Sequence, residues 1–153
     1  MNSDAKFEDS YSKPIRIEAL DDEDLKVVSA LCQDSVVIGK DILWQTKKSR
    51  LSLLLNRFRW EEESIEPERV QSLLVIDRVD KVSSRAFPIN EKNKIYSLMS
   101  LQFDKKDEIG GILNIIFSRD SMIAASIECL EIKLQDVTRP YKAPSGSRPK
   151  HYE

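Results

Sequence analysis

The chain has 153 residues, of which 24 are Lys or Arg and 26 are Asp or Glu, and its formal net charge at pH 7 is −2. This near balance argues against a dedicated DNA-binding protein, which carries a strong basic excess. The length favours a single domain. No apolar run approaches the roughly 18–20 residues that a membrane-spanning helix needs, and the N-terminal residues are polar, so we expect a cytoplasmic protein.

The inventory of reactive side chains is small. The only histidine, His151, lies close to the C-terminal end. Ser-His-Asp and Cys-His catalysis and His-rich metal sites need an imidazole held by a packed scaffold. Four glycines cannot build a Gly-rich phosphate-binding loop. Without a CxxC pattern, Cys32 and Cys129 are expected to be free thiols. We therefore predict no catalytic residues, no metal and no cofactor, and we favour a non-enzyme, while an enzyme based on carboxylates or lysine remains open.

Composition divides the chain into three parts. Residues 1–13 are polar and aperiodic, which predicts a disordered leader. Residues 14–137 carry the apolar periodicity and are expected to form one α+β domain. Residues 138–153 contain three prolines and four cations against one carboxylate, which predicts a disordered basic tail.

The first half of the domain begins with a strand and a helix. Alternation over residues 15–20 predicts a strand. The acidic run 21–24 followed by a helical repeat predicts a capped helix over about 22–34. Strands are then predicted at 35–38, 41–45 and 50–60. In the last of these the leucines and the aromatic residues face opposite sides, which predicts a bulge near Asn56-Arg57.

The second half is predicted to consist mainly of antiparallel strands. The apolar patterns predict a strand at 70–77 that continues to Phe87, and further strands at 95–103, 112–117 and 122–126, with a four-residue hairpin loop at 118–121. Ile127, Leu130, Leu134 and Val137 form one apolar stripe at helical spacing, which predicts a C-terminal helix over about 127–136.

These elements predict an α+β fold without the alternation typical of a parallel sheet. We expect a curled antiparallel sheet or partly open barrel of about six to eight strands, with one helix near the N-terminus and one at the C-terminus. This order resembles a pleckstrin-homology-like barrel, and a flatter α+β sandwich fits nearly as well.

The candidate binding site is a basic patch on the outer face of the sheet. In the 50–60 strand, Arg57 and Arg59 point to the side opposite Phe58 and Trp60. If the aromatic rings are buried, the two guanidinium groups lie side by side outside, where they can bind carboxylates or phosphates. Further along the chain, Arg78, Lys81 and Arg85 complete the predicted patch. The alternative is that these cations form solvated ion pairs with neighbouring carboxylates (Glu61, Glu62, Glu63, Asp77 and Asp80).

Three other features carry weaker hypotheses. Trp44, Phe58 and Trp60 can form a stacking platform for nucleic acid, or belong to the core. Glu128 and Glu131 can hold a divalent cation, or lie solvated on a helix. The basic tail can bind nucleic acid weakly through charge alone.

Several sequence blocks resemble an uncharacterised family. They are residues 53–61, residues 77–79 with 82–85, and residues 127–131 with 134–136. Together they are similar to a domain-of-unknown-function family of small bacterial proteins associated with alphaproteobacteria. The resemblance spans about 15–137 and implies a small cytoplasmic bacterial protein, without an activity or a catalytic residue to transfer.

The leading hypothesis is therefore a non-enzymatic binding or adaptor module that recognises a protein segment or an anionic ligand. The alternatives are a small carboxylate- or lysine-dependent enzyme, and weak nucleic-acid binding through the tail. Either a monomer or a homodimer is compatible with the sequence.

Overall fold

The computed structural model describes residues 13–61, 67–88 and 90–143. These residues form one α-helix and eleven strands. In chain order they are β1 (Arg16–Ala19), α1 (Asp22–Cys32), β2 (Val36–Ile38), β3 (Ile42–Gln45), β4 (Arg50–Phe58), β5 (Glu68–Ile76), β6 (Val79–Arg85), β7 (Ile95–Lys105), β8 (Gly111–Phe117), β9 (Met122–Ile127), β10 (Ile132–Asp136) and β11 (Tyr141–Lys142).

All the strand pairs are antiparallel, as predicted. The sheet order is β1-β10-β5-β4-β2-β7-β8-β9-β6, with β11 added to β5 and β3 added to β4. The terminal strands of this order, β1 and β6, do not pair with each other in the described part of the chain. The sheet is therefore open and is not a closed barrel. Both terminal strands nevertheless contribute apolar side chains to one core, so the sheet curves around it.

Helix α1 begins where the acidic run predicted. Asp21 is its N-cap and accepts a hydrogen bond on Oδ1 from the amide of Asp24 at 2.8 Å. Such a cap satisfies a backbone N–H group that has no partner within the helix. Leu25, Val28 and Cys32 are buried against the sheet, as the helical repeat predicted. In the described residues, no helix is both long and apolar enough to cross a membrane.

The predicted C-terminal helix at 127–136 is wrong, because this segment contains the end of β9, a turn and strand β10. Ile132 and Leu134 are buried while Lys133 and Gln135 are exposed, which is the two-residue period of a strand. β10 pairs with β1 on one side and with β5 on the other. The predicted two-helix α+β fold of six to eight strands is therefore wrong. The resemblance to a pleckstrin-homology-like barrel depended on a C-terminal helix, and this segment contains strands instead.

The predicted bulge near Asn56-Arg57 is also wrong. β4 pairs with β5 in one unbroken register from Leu51 opposite Ile76 to Phe58 opposite Arg69. The register shifts occur instead in the β6–β9 and β7–β8 pairs. The predicted continuous strand from residue 70 to 87 is interrupted at Arg78, whose φ of 60° ends β5 and separates it from β6. Without the predicted bulge, Arg57 lies on the same face of β4 as the buried leucines.

Strand pairing continues beyond residue 137, where we expected the domain to end. Tyr141 and Lys142 pair with Arg69 and Glu68 of β5, and Ala143 is buried. Residues 144–153 of the predicted tail and residues 1–12 of the predicted leader lie outside the described residues.

Candidate functional site

Arg57 lies on the inner face of the sheet, and the expectation that it points outward is wrong. With no bulge in β4, Arg57 continues the buried row of Leu51, Leu53 and Leu55. Its side chain is 0% exposed. Strands β5 and β10 bring Ser72 and Asp136 to the same end of this face, since these two residues lie opposite each other in the register. The inner face therefore ends in buried polar side chains.

The guanidinium group of Arg57 is surrounded by acceptors. Nη1 and Nη2 bind the two carboxylate oxygens of Glu61 at 2.8 and 2.9 Å. Nη2 also donates to Asp136 Oδ1 at 3.0 Å, and Nε donates to Ser72 Oγ at 3.1 Å. Burial opposes the positive charge, but the hydrogen bonds and charges of Glu61 and Asp136 outweigh it and raise the pKa of Arg57. The donors of this arginine are therefore already engaged within the protein.

Arg59 is held in the same region. Its side chain is 2% exposed, and its Nη1 donates to Glu68 Oε1 at 2.8 Å. Glu61 lies near it as well, with Oε2 at 3.8 Å from Nε. We call this group the inner arginine cluster; its members are Arg57, Arg59, Glu61, Glu68, Ser72 and Asp136. Ion pairing was the predicted alternative for the two arginines. Both guanidinium groups and Asp136 are buried, whereas the side chains of Glu61 and Glu68 are 22% and 28% exposed.

Burial and the charges of two cluster residues, Arg57 and Asp136, affect the pKa of Cys32. Burial raises the pKa of the Cys32 thiol to about 12, while the charge of Arg57 lowers it and that of Asp136 raises it. A thiol with so high a pKa stays protonated at neutral pH and is a poor nucleophile. Cys32 and Cys129 are both free thiols, as expected.

The five cations of the predicted patch do not meet at one place. Arg57 lies opposite Val70 at the start of β5, whereas Arg78 lies beyond the end of β5, eight residues further along. At about 3.3 Å per strand residue, the six residues from Val70 to the end of β5 alone separate them by about 20 Å. Lys81 and Arg85 are exposed on β6 at an edge of the sheet. The predicted patch is thus divided among separate regions.

Arg78 lines a cavity of mixed charge, of about 390 Å³. Its charged lining consists of Lys48, Arg50, Asp77, Arg78, Glu128, Glu131 and Lys133. Arg50 Nε binds Asp77 Oδ1 at 2.7 Å, and Arg78 Nε lies 4.0 Å from Glu131 Oε2. Cations and carboxylates therefore largely balance each other here. Among the described residues, no three His, Cys, Asp or Glu side chains are grouped so that they could hold a metal ion.

A second cavity has a different electrostatic character, and we call it the cationic cavity. Its volume is about 440 Å³, and it is lined by Ala86, Lys94, Ile95, Tyr96, Ser97, Ser118, Arg119 and Ser121. Lys94 and Arg119 supply two positive charges, and among the residues that the structure describes no carboxylate lines this cavity. By contrast, two further cavities formed by described residues are each lined by three carboxylates and one lysine.

Three neighbouring elements form the cationic cavity. Lys94 immediately precedes β7, and Ser118 to Ser121 form the turn between β8 and β9. The amide of Ser118 donates to the carbonyl of Ser97 at 2.9 Å, which joins the turn to β7. Ser121 Oγ donates to the carbonyl of Ala86 at 3.2 Å, which joins the turn to the end of β6. The lining residues are therefore fixed relative to one another by hydrogen bonds.

Aromatic packing supports the floor of the cationic cavity. The ring of Tyr96 stacks on Phe87 with 4.2 Å between centroids and meets Phe117 edge to face. Lys94 Nζ lies 5.5 Å from the centre of the Tyr96 ring, within reach of a cation–π interaction. Burial raises the pKa of the Tyr96 phenol, and the negative charge of Glu91 raises it further. Glu91 is thus one carboxylate whose field reaches the cavity.

The turn that carries Arg119 has an unusual backbone. Arg119 and Asp120 have φ angles of 59° and 63°. Two such residues make the turn that suits a tight hairpin, but that turn favours Asn-Gly. Arg85 holds it in place, since its Nη2 and Nε bind Asp120 Oδ1 and the Asp120 carbonyl at 2.9 and 3.1 Å. Of the five predicted site residues, Arg85 is therefore the one beside the cationic cavity.

Sequence reasoning missed Lys94 and Arg119 as site residues. The hairpin loop at 118–121 was predicted correctly. Arg119 in this loop and Lys94 are far apart in the sequence, so they do not form a recognisable sequence motif. The available signal was the Arg-Asp pair in a short loop between two apolar strands, where glycine or asparagine is usual.

The other hypotheses have separate outcomes. Trp44, Phe58 and Trp60 do not form one exposed platform, because Phe58 is buried and contacts Trp60 edge to face, while Trp44 packs against the core. Trp60 Nε1 donates to the carbonyl of Gln33 at 2.9 Å. Nucleic-acid binding by the tail stays a prediction, since residues 144–153, which include His151, lie outside the described residues.

Comparison with known proteins adds a family. The family described as "Protein of unknown function (DUF2948)" matches residues 15–151 of the chain. No curated protein matches the chain. No solved structure matches it either.

Proposed function

The chain belongs to the DUF2948 family of proteins of unknown function, and we propose from its geometry that it is a non-catalytic binding module for an anionic ligand at the cationic cavity. The observation that carries this proposal is that Lys94 and Arg119 lie in one cavity that none of the described carboxylates lines. An arginine fork and a lysine ammonium group are the side chains that proteins use most readily for carboxylates and phosphates.

The surrounding charges support the same conclusion. Asp120 follows Arg119 in the chain, but its carboxylate is bound to Arg85. Glu91 is a second carboxylate whose charge acts on the lining residue Tyr96, and Lys92 follows it in the chain. The local balance of Arg85, Lys92, Lys94 and Arg119 against Glu91 and Asp120 is positive, although the whole chain has a net charge of −2. A concave site with this local excess attracts anions from solution.

The inner arginine cluster has a different role in this proposal. Each buried guanidinium group already binds carboxylates of the same chain. A ligand could bind them only by displacing those carboxylates, of which Asp136 is buried. We therefore assign Arg57 and Arg59 to stability and Arg85 to the support of the anion site.

Isothermal titration calorimetry with inorganic phosphate at low ionic strength tests the proposal. The wild-type protein is expected to bind phosphate saturably at one site. Lys94→Gln is expected to weaken binding about tenfold, because it removes a charge-assisted contact of about 1.5 kcal/mol or more. Added salt is expected to weaken binding further, because it screens exposed charges.

Lys81→Gln is the matched control, since it removes the same charge from β6 without changing the lining of the cavity. It is expected to bind phosphate as the wild type does. Absence of saturable binding in the wild type, or equal loss in both variants, would contradict the assignment to the cationic cavity.

A further inference from the structure

We infer that the group recognised in the cationic cavity is the dianion of a phosphate monoester; this inference rests on the proposed function. A monoester carries nearly two negative charges at neutral pH and three strong acceptor oxygens. Lys94 and Arg119 supply two positive charges in the same cavity. Neutralisation of both charges by one ligand group requires a dianion, whereas a carboxylate, a sulfate ester or a phosphodiester supplies one negative charge.

The hydrogen-bonding groups of the lining fit a tetrahedral anion. Three serines line the cavity, namely Ser97, Ser118 and Ser121. The hydroxyl proton of Ser121 is donated to the Ala86 carbonyl, so Ser97 and Ser118 are the serines left to donate to an anion. Together with the Arg119 fork, such groups can approach a phosphate from several directions. A planar carboxylate has one oxygen fewer to accept from them.

The cavity also has room for the organic part of a monoester. Its volume of about 440 Å³ is larger than a phosphate group needs. One wall is Ile95, whose side chain is 64% exposed although it is a large aliphatic group. Next to it, Ala86 adds a small apolar surface. A ligand with phosphate at one end and carbon atoms at the other would cover both kinds of lining.

The backbone of the Arg119 turn is consistent with this role. Arg119, Asp120 and Ala86 are three of the six described non-glycine residues with positive φ, and the other three do not line this cavity. Such positions persist only where the surrounding structure determines them, and they concentrate at binding sites. Here the Arg85–Asp120 contacts hold the turn, and Arg119 is the residue that it presents to the cavity. An arginine at this strained position is explained if its guanidinium group is needed for the ligand.

Calorimetry with three probes of similar size tests the inference. At pH 8, phenyl phosphate is expected to bind at least tenfold more tightly than phenyl sulfate or benzoate. Phenyl sulfate is the matched probe, because it is tetrahedral but carries a single charge. At pH 5 the advantage of phenyl phosphate is expected to disappear, since the second pKa of a phosphate monoester is about 6.

Phenyl sulfate also corrects for titration of the protein, because its own charge does not change in this range. The charged or titratable groups that line or adjoin the cavity are Arg85, Glu91, Lys92, Lys94, Tyr96, Arg119 and Asp120.

Arg119→Asn removes the guanidinium group but suits the left-handed turn. We expect this variant to melt at the wild-type temperature or above it, and to bind phenyl phosphate at least tenfold more weakly. Arg119→Lys, which keeps the charge without the fork, is expected to fall between the two. Unchanged binding by Arg119→Asn would overturn the role of this turn.

The outcomes separate this inference from the proposed function. If benzoate or phenyl sulfate binds as tightly as phenyl phosphate at pH 8, the monoester is excluded and the anion site stands. If none of the three binds, both proposals fail. If phenyl phosphate binds most tightly, the source of the monoester is tested next. Tighter binding of a phosphoserine peptide would indicate a phosphorylated protein segment, and tighter binding of glycerol 3-phosphate would indicate a small phosphorylated molecule.

Discussion

Replacement of Asp136 with Ala is expected to lower the free energy of unfolding by about 3–5 kcal/mol, because it breaks a buried ion pair. The Asp136 side chain is 2% exposed and accepts hydrogen bonds from Arg57, from Ser72 Oγ at 2.6 Å and from the amide of Ile15 at 2.9 Å. Without the carboxylate, Ser72 Oγ and the Ile15 amide lose their acceptor in a largely buried region, while Arg57 keeps its contact with Glu61. The loss is therefore greater than the net contribution of one hydrogen bond.

Urea denaturation measures this effect, and Asp104→Ala is the matched control. Asp104 binds Lys106 at 2.8 Å, but both side chains are more than half exposed. Its removal is expected to cost less than about 1 kcal/mol. The double variant Arg57→Met with Asp136→Leu is expected to be more stable than Asp136→Ala, since it leaves no uncompensated charge of this pair in the core. Equal stability of Asp136→Ala and the wild type would show that Asp136 is not a buried partner.

Two adjacent leucines of β4 provide the second test of the fold. Leu53→Ala is expected to lower the free energy of unfolding by about 2–5 kcal/mol, because Leu53 is 0% exposed and its removal leaves a cavity in the core. Leu53 lies between Ile42 of β3 and Leu74 of β5. Leu54→Ala, on the half-buried outer face, is expected to cost about 1 kcal/mol.

The two leucine variants together test the register of β4 against its neighbouring strands. A shift of one residue would exchange the two faces of β4, because side chains alternate along a strand. It would also turn Arg57 outward, as the predicted bulge required. A larger loss for Leu54→Ala than for Leu53→Ala in urea denaturation would therefore contradict both the register and the inner arginine cluster.

Local pattern predicted much of the secondary structure correctly. The acidic cap and the first helix, the alternating strand at 95–103 and the hairpin between β8 and β9 follow from residues close together in the sequence. The sequence at 127–136 fits both a helical repeat and, from Ile132 on, the two-residue repeat of a strand. The helical stripe included Val137, which is 49% exposed, and omitted Ile132, which is fully buried. Pairing of β10 with strands on both sides decided the result, and that pairing depends on residues far away in the chain.

The inner arginine cluster could not be predicted for a similar reason. Side chains alternate along a strand, so Arg57 was expected outside because Phe58 and Trp60 on the opposite face were expected to be buried. Its buried position depends on Asp136, which is 79 residues away in the sequence, and on Ser72 of the strand between them. Likewise, Lys94 and Arg119 become neighbours only because β7, β8 and β9 are consecutive in the sheet. Single-sequence patterns do not contain these pairings.

Mapping of amide chemical shifts in the ¹⁵N-labelled 153-residue chain during titration with inorganic phosphate tests the anion site most directly. The proposed function predicts saturable shifts concentrated at residues 94–97 and 118–121, with little change at Arg57, Arg59 and Arg78. Shifts concentrated instead at those three arginines or in residues 144–153, or no saturable shift at all, would contradict it.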